Sequence, residues 1–202
     1  DPLRKVFDLK KGTTGDLNIL LASMLEKANF TVDMVLLSTR DHGFIRKEYP
    51  MQSQFNYVVC AVRLNDKIIL LDATEKLLPL GVLPGRCLNG EGLVISKTNH
   101  GWMKIDPKIK AKSIVNADLV LHQDGSLKGS LNFTHEGYDA LDMRKEYADK
   151  GEEKYVKDFL GARTWEVEKK EFIGVSEIDQ SVKTNLIVQI NDHISVAGDA
   201  MY

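Results

Sequence analysis

Three polar residues near the ends of predicted elements are of types that bear on nucleophilic catalysis. Thr14 opens a strongly apolar segment, Asn56 begins a strand-like segment, and Asp72 ends the next one, 16 positions later (72 minus 56). A thiolate nucleophile needs a lowered pKa, which a helix N-terminus and an imidazolium supply, and a third polar group must orient the imidazole. Here a threonine hydroxyl holds its proton far more tightly than a thiol, and an asparagine amide cannot accept a proton at neutral pH. The spacing of 16 positions suits a strand, a tight turn and a returning strand, whereas the residue types supply neither a thiol nor an imidazole.

The segments around these residues resemble one enzyme family. The matching stretches are Gly12-Thr13-Thr14-Gly15-Asp16, Asn18, Asp41-His42-Gly43, Asn56 and Leu70-Leu71-Asp72-Ala73-Thr74. They resemble the core of the transglutaminase-like, papain-type thiol enzymes, most clearly over residues 11–88. The resemblance implies that the family's cysteine falls on Thr14, its histidine on Asn56 and its aspartate on Asp72, so only the aspartate is retained. It also implies an α+β core in which a helix packs on an antiparallel sheet.

Three functional hypotheses follow from this resemblance. The first is a catalytically inactive domain that binds a peptide or glycopeptide in a groove at the degenerate triad. Further candidates for lining the groove are Asp16, His42, Gln54 and Tyr57. The second is an active peptidase or amidase with a relocated nucleophile or base, for which His42 is the only plausible base and Cys60 and Cys87 are the only thiols. Cys60 is a poor replacement, because it lies roughly 13 Å along the strand from Asn56. The third is an architectural spacer, which is expected if other segments fill the groove.

The elements that must position these residues can be predicted from local patterns. Apolar residues at helical spacing after Thr14 predict a helix with one face in the core, and Thr13, Thr14 and Asp16 are typical of its N-terminal cap. The remaining elements of the first domain are strands over 31–39, 55–64, 67–71, 93–96 and 101–105, a polar loop over 40–54, and a tight turn at Asn65-Asp66. This arrangement predicts Asn56 within direct or one-water hydrogen-bonding reach of Asp72 or Thr14.

The pattern changes near Pro107, so we predict domains over 1–106 and 107–202. The second domain is predicted to contain strands over 114–122, 126–134, 164–172 and 182–190, helices over 138–148 and 152–160, and an Asp124-Gly125 turn. Its pattern, with Gly137-Tyr138-Asp139-Ala140, resembles the β-sandwich that follows the thiol-enzyme core in multidomain envelope proteins of Bacteroidetes-type bacteria. The predicted fold class is α+β, with a mainly β, sandwich-like second domain.

Composition and charge exclude several classes of function. Lys plus Arg total 27 against 29 Asp plus Glu, so the sequence predicts no basic surface for nucleic acid. No apolar run approaches the roughly 18 residues of a membrane helix, and we predict no transmembrane segment in this chain. Neither the two cysteines nor the histidines stand at metal-ligand spacing, so no metal site and no cofactor are expected.

The two cysteines are predicted to play different structural roles. Cys60 lies in a valine-rich strand and is expected to be a small buried hydrophobe. Cys87 is predicted in a loop beside Arg86, which favours a lower thiol pKa, although an unreactive thiol is the simpler interpretation.

The chain begins at Asp1-Pro2 without methionine, and we expect it to be a piece of a longer protein whose other domains are its partners. The resemblance implies an extracytoplasmic location, in the periplasm or cell envelope.

Overall fold

The chain forms two compact units, residues Asp1–Lys108 and Ile109–Tyr202. The structure, a computed structural model, describes residues 2–49, 51–65, 67–96, 100–161, 163–191, 196–197 and 200–201. Both units are of the α+β class, because each combines helix with an antiparallel sheet.

The first unit is a five-stranded antiparallel sheet with two helices. Its elements are α1 (Pro2–Leu9), α2 (Thr14–Lys27), β1 (Thr31–Leu37), β2 (Tyr57–Leu64), β3 (Lys67–Leu71), β4 (Gly90–Ile95) and β5 (His100–Ile105). The strand order is β3-β2-β1-β4-β5. β1 is central because it pairs with β2 on one side and with β4 on the other, and its register places Met34 opposite Cys60.

The two faces of this sheet are covered differently. One face carries a core in which Val35, Leu37 and Val59 pack with Leu83 and Cys87 from the segment before β4. β1 is buried on alternate residues, as period-2 geometry predicts for a strand with one covered face. Helix α2 packs on the opposite face, where the buried Cys60 thiol donates to the Asn18 carbonyl at 3.1 Å. The helix that begins near Thr14 is therefore fixed against the strand that begins next to Asn56.

The second unit is a four-stranded antiparallel sheet with one long helix against it. Its elements are β6 (Lys112–Leu121), β7 (Leu127–Glu136), α3 (Tyr138–Leu160), β8 (Trp165–Ile173) and β9 (Val182–Ile190), in the order β6-β7-β9-β8, followed by a small ribbon, β10 (Val196–Ala197) with β11 (Ala200–Met201). Ala140 and Met143 of α3 pack on Val182, and Phe159 meets Phe133 edge to face at 5.3 Å between ring centroids. In the described residues, the face of the sheet that carries Val182 and Phe133 is covered by this helix.

The predicted elements agree closely with the observed ones. The predicted strands correspond to β1 through β9, and the two predicted helices of the second domain form α3, whose backbone departs from helical geometry at Gly151. Helix α1 was not predicted. The turn at Asn65-Asp66 lies partly outside the described residues, because Asp66 is not among them. None of the helices that the structure describes is long and apolar enough to span a membrane.

Candidate functional site

Helix α2 begins with a reciprocal capping box. The Thr13 hydroxyl accepts from the Asp16 N–H at 3.2 Å, and the Asp16 carboxylate accepts from the Thr13 N–H at 2.8 Å. Bonds from Thr13 also hold the pKa of the Asp16 carboxyl below its ordinary value. Thr14 is the first residue of the helix and is half-buried, and its hydroxyl makes no hydrogen bond to any residue that the structure describes. Asp16 is therefore occupied in capping, whereas Thr14 is not.

Asp72 lies at the centre of a polar cluster just beyond β3. Its Oδ2 accepts from the Tyr57 hydroxyl at 2.7 Å. Its Oδ1 accepts from the Asn18 amide at 3.1 Å and from the Thr74 N–H at 2.8 Å. We call Asn18, Tyr57, Asp72, Thr74 and Arg86 the Asp72 cluster. Its aspartate is held by a phenol, an amide and a backbone N–H rather than by an imidazole.

Asn18 ties the helix to both strands of the hairpin. This side chain is fully buried on the sheet-facing side of α2. Its amide nitrogen also donates to the Val58 carbonyl at 2.9 Å, and its oxygen accepts from the Ala73 N–H at 2.8 Å. Because an unpaired buried amide is costly, these bonds specify how α2 sits on β2 and on the end of β3.

Arg86 reaches the same cluster from the segment before β4. Its guanidinium donates to the Tyr57 hydroxyl and to the Thr74 hydroxyl, both at 2.8 Å, and lies 5.3 Å from the centroid of the Tyr57 ring. Arg86 is exposed and Tyr57 is buried, and burial raises the pKa of Tyr57 to about 12. The cluster therefore presents an anchored cation to solvent above a neutral phenol.

Asn56 belongs to a second, adjacent cluster. Its amide nitrogen donates to the Thr39 hydroxyl at 2.7 Å, and its oxygen accepts from the Thr39 N–H at 2.9 Å. The Thr39 hydroxyl also bonds Asp41 and lowers the pKa of that carboxyl, with smaller contributions from His42 and Arg86. We call Thr39, Asp41 and Asn56 the Asn56 cluster. No hydrogen bond joins Asn56 to Asp72 or Thr14 in the described part of the chain, and the neighbouring Tyr57 is the direct partner of Asp72.

The predicted loop over 40–54 has a defined internal structure. The exposed His42 ring meets the Ser53 carbonyl at 3.0 Å through Nε2. The Gln54 amide accepts from the Arg46 N–H at 3.1 Å and donates to the Tyr49 carbonyl at 3.4 Å. The His42 and Gln54 side chains therefore form hydrogen bonds within the loop.

Neither cysteine is placed to act as a nucleophile. Cys60 is fully buried and Cys87 is almost so. Burial raises the pKa of the Cys60 thiol to about 11 and that of Cys87 to about 12. Arg86 favours the Cys87 thiolate, as expected from its position, but the effect of burial is larger. Both thiols are therefore protonated at neutral pH.

Sequence reasoning identified part of this site and missed the rest. It singled out Tyr57 and Asp72, which are in direct contact. It gave Asn18 and Thr74 no role in the site, and it considered Arg86 only for its effect on the Cys87 thiol. The available signal for Asn18 was its place as a polar residue within the apolar face of a predicted helix. A polar side chain buried there must find hydrogen-bond partners.

No protein-family model, curated protein or solved structure matches this chain. Across the residues that the structure describes, no group of three or more His, Cys, Asp or Glu side chains is arranged to hold a metal ion. The chemistry of the site therefore has to be inferred from its geometry. The anchored Arg86 guanidinium, the exposed Asn56 amide and the exposed Asp41 carboxylate are suited to hydrogen-bonding a polar ligand.

Proposed function

We propose that the first unit is a catalytically inactive transglutaminase-like domain that binds a peptide or glycopeptide. In this proposal Thr14, Asn56 and Asp72 are the degenerate triad positions, and the parent is a larger extracytoplasmic protein of the periplasm or cell envelope. The sandwich-like assignment of residues 107–202 belongs to the same proposal.

The observation that carries the proposal is the arrangement around Arg86. Its guanidinium is held by Tyr57 and Thr74 at 2.8 Å each while remaining exposed. A guanidinium held in this way is suited to a carboxylate, such as a peptide C-terminus or an acidic side chain. The exposed Asn56 amide, fixed by Thr39, offers further hydrogen bonds. Peptides and glycopeptides carry both kinds of group.

The same residues also support the expectation that the domain has no turnover. Asp72 is engaged by Tyr57, Asn18 and Thr74, and both thiols are buried and protonated. A hydroxyl at Thr14 would need a nearby base to become a nucleophile, and Asn56 cannot serve as one. The site has binding groups but no activated nucleophile.

Binding is tested by calorimetric titration with an unblocked short peptide and with a soluble peptidoglycan-type glycopeptide. We expect Arg86→Gln to weaken binding by about tenfold or more, because it removes a charge-assisted contact. Arg4→Gln is the matched control, since that side chain is 82% exposed on α1. Equal affinity in the two variants, with folding verified by circular dichroism, would overturn the assignment of Arg86.

Activity is tested separately with amidase and transamidase assays and with iodoacetamide. We expect no turnover, and labelling of Cys60 and Cys87 only after denaturation, because a buried protonated thiol is unreactive. Turnover by the unmodified protein would show that the domain is an enzyme.

A further inference from the structure

The sheet of the first unit ends in two strands with free edges. In the part of the chain that the structure describes, β3 pairs only with β2, and β5 pairs only with β4. A free edge presents a row of backbone N–H and C=O groups that can pair with another extended segment. The unit therefore offers two sites for strand addition.

Both edge strands line one cavity of about 480 Å³. It is lined by residues 67–70 and 80–81, Met103, Lys104, Asp106 and Lys108. We call this cavity the strand cleft. Because residues of β3 and of β5 line the same space, the sheet curls until its two edges approach one another. An extended segment entering the strand cleft lies alongside both strands.

A second cavity of about 240 Å³ adjoins the strand cleft, since Ile68 and Met103 line both. Its lining is mainly apolar, although Ser96 and His100 also line it. The Arg63 guanidinium there lies 3.4 Å from the buried Asp33 carboxylate. Side chains alternate between the two faces of a strand. A peptide in the strand cleft would therefore direct alternate side chains into this inner cavity, whose size suits residues such as valine or threonine.

The outer rim of the strand cleft is basic. It carries Lys67, Lys104 and Lys108 against Asp106, and Lys104 is paired with Asp106 at 2.9 Å. Lys67 and Lys108 form no ion pair with any described residue. Acidic side chains on the outward face of a peptide would meet these two cations, which favours an acidic partner over a basic one.

We propose that the first unit captures an extended acidic peptide by adding it as a strand in the strand cleft. Main-chain hydrogen bonds to the free edges supply affinity, and the inner cavity and the lysines supply selectivity. This site uses none of the residues of the Asp72 cluster, so it stands or fails independently of the proposed function. Lysine on an edge strand also protects proteins from unwanted pairing, and the experiment must separate capture from protection.

The probe is a fluorescently labelled peptide of about six residues, the usual length of a strand, in which valine alternates with glutamate. Both its ends are blocked, so that it carries no terminal carboxylate. A peptide with lysine in place of glutamate tests charge. A peptide with one central proline tests the backbone, because proline cannot donate to the ladder.

Binding is followed by fluorescence anisotropy, and its location by amide hydrogen exchange. We expect the acidic peptide to bind and to slow exchange in residues 67–71 and 100–105, and the lysine and proline peptides to bind more weakly. We expect the double variant Lys67→Glu, Lys108→Glu to lose about tenfold in affinity, the scale of two partly screened surface charges. The matched control is Lys5→Glu, Lys27→Glu, whose lysines are exposed on the helices.

Three results would overturn the proposal. They are no binding of the acidic peptide at about 1 mM, the upper limit of a useful affinity; equal binding by the rim and helix variants; and protection from exchange outside the two edge strands. The first would mean that the lysines protect the edges rather than recruit a partner.

Discussion

At the scale of single residues, the Tyr57 hydroxyl contacts groups from two distant segments, one after β3 and one before β4. Its hydroxyl lies 2.7 Å from Asp72 Oδ2, 2.8 Å from Thr74 Oγ1 and 2.8 Å from an Arg86 nitrogen. The phenol must remain neutral to donate to the carboxylate, and burial favours the neutral form by raising the pKa from 10.0 to about 12. Tyr57, next to Asn56, is thus the structural centre of the cluster.

Tyr57 should make the protein lose stability at alkaline pH. The unfolded chain releases the phenolic proton near pH 10.0, whereas the folded protein holds it until about pH 12. Unfolding is therefore favoured progressively as pH rises through that interval, and the contribution of Tyr57 is complete only below it. We expect the free energy of unfolding in urea to fall between about pH 10 and about pH 12, and to fall less steeply in Tyr57→Phe.

Tyr49→Phe is the control for this measurement, because Tyr49 is 79% exposed. Burial also raises the pKa values of the Cys60 and Cys87 thiols. The informative quantity is therefore the difference in pH dependence between the two phenylalanine variants. Identical pH profiles would show that Tyr57 does not retain its proton on folding.

At the scale of elements, the two threonines at the start of α2 differ in role. Thr13 is a capping residue, and Thr14 is a candidate site residue. Thr13 exchanges hydrogen bonds with Asp16, whereas the Thr14 hydroxyl has no hydrogen-bond partner among the described residues. We expect Thr13→Ala to cost about 1 kcal/mol of stability, the usual value for loss of an N-cap. Thr14→Ala should cost much less, and chemical denaturation compares the two. Equal losses would mean that Thr14 has a structural role that its contacts do not show.

Two glycines, one before α3 and one within it, differ in surroundings but share a positive φ. Gly137 precedes the helix with φ of 60°, and a Cβ there would lie 1.9 Å from the Lys110 carbonyl oxygen. Gly151 interrupts the helix with φ of 73°, and a Cβ there would meet nothing within 4 Å.

Replacing each glycine by alanine should therefore separate steric overlap from backbone strain. We expect Gly151→Ala to cost about 1–3 kcal/mol from the conformation alone, because φ of 73° with ψ of 168° is a combination that essentially only glycine adopts. Gly137→Ala should cost considerably more, since backbone atoms must also move. Thermal unfolding of both variants measures the difference, and a Gly137→Ala protein as stable as Gly151→Ala would contradict the close approach to Lys110.

At the scale of the whole molecule, each unit has its own hydrophobic core. The first contains Val35, Leu37 and Val59, and the second contains Leu131, Leu186 and Val188. The division falls after Lys108, and the exposed lysines near it include Lys108, Lys110 and Lys112. Exposed junctions between compact units are preferred sites of proteolysis.

We expect limited trypsin digestion to cut first at Lys108 or Lys110 and to leave two fragments that resist further cleavage. Mass spectrometry identifies the fragments, and circular dichroism shows whether they retain structure. Early cleavage within β2 or β9 instead would mean that the units do not fold as independent cores.

The sequence by itself determined most of the local structure. The helix from Thr14, the hairpin of β2 and β3 and the Asp124-Gly125 turn follow from caps, apolar periodicity and turn residues that act over a few positions. Helix α1 was missed because an eight-residue segment gives only a short periodic signal. The residue types at positions 14 and 56 also show directly that neither position holds a thiol or an imidazole.

Only the tertiary structure decided which polar groups meet. Asn18 and Asp72 are 54 positions apart, and Tyr57 and Arg86 are 29 apart, yet each pair is hydrogen-bonded. Asp72 is hydrogen-bonded to Tyr57, and Asn56 to Thr39, because of how α2 and the segment before β4 pack on the sheet. Local patterns specify which face of a strand is buried, but the partner of a buried polar group is selected by packing among distant segments. For the same reason, the curl that brings the edges of β3 and β5 to one cavity could not be predicted from either strand alone.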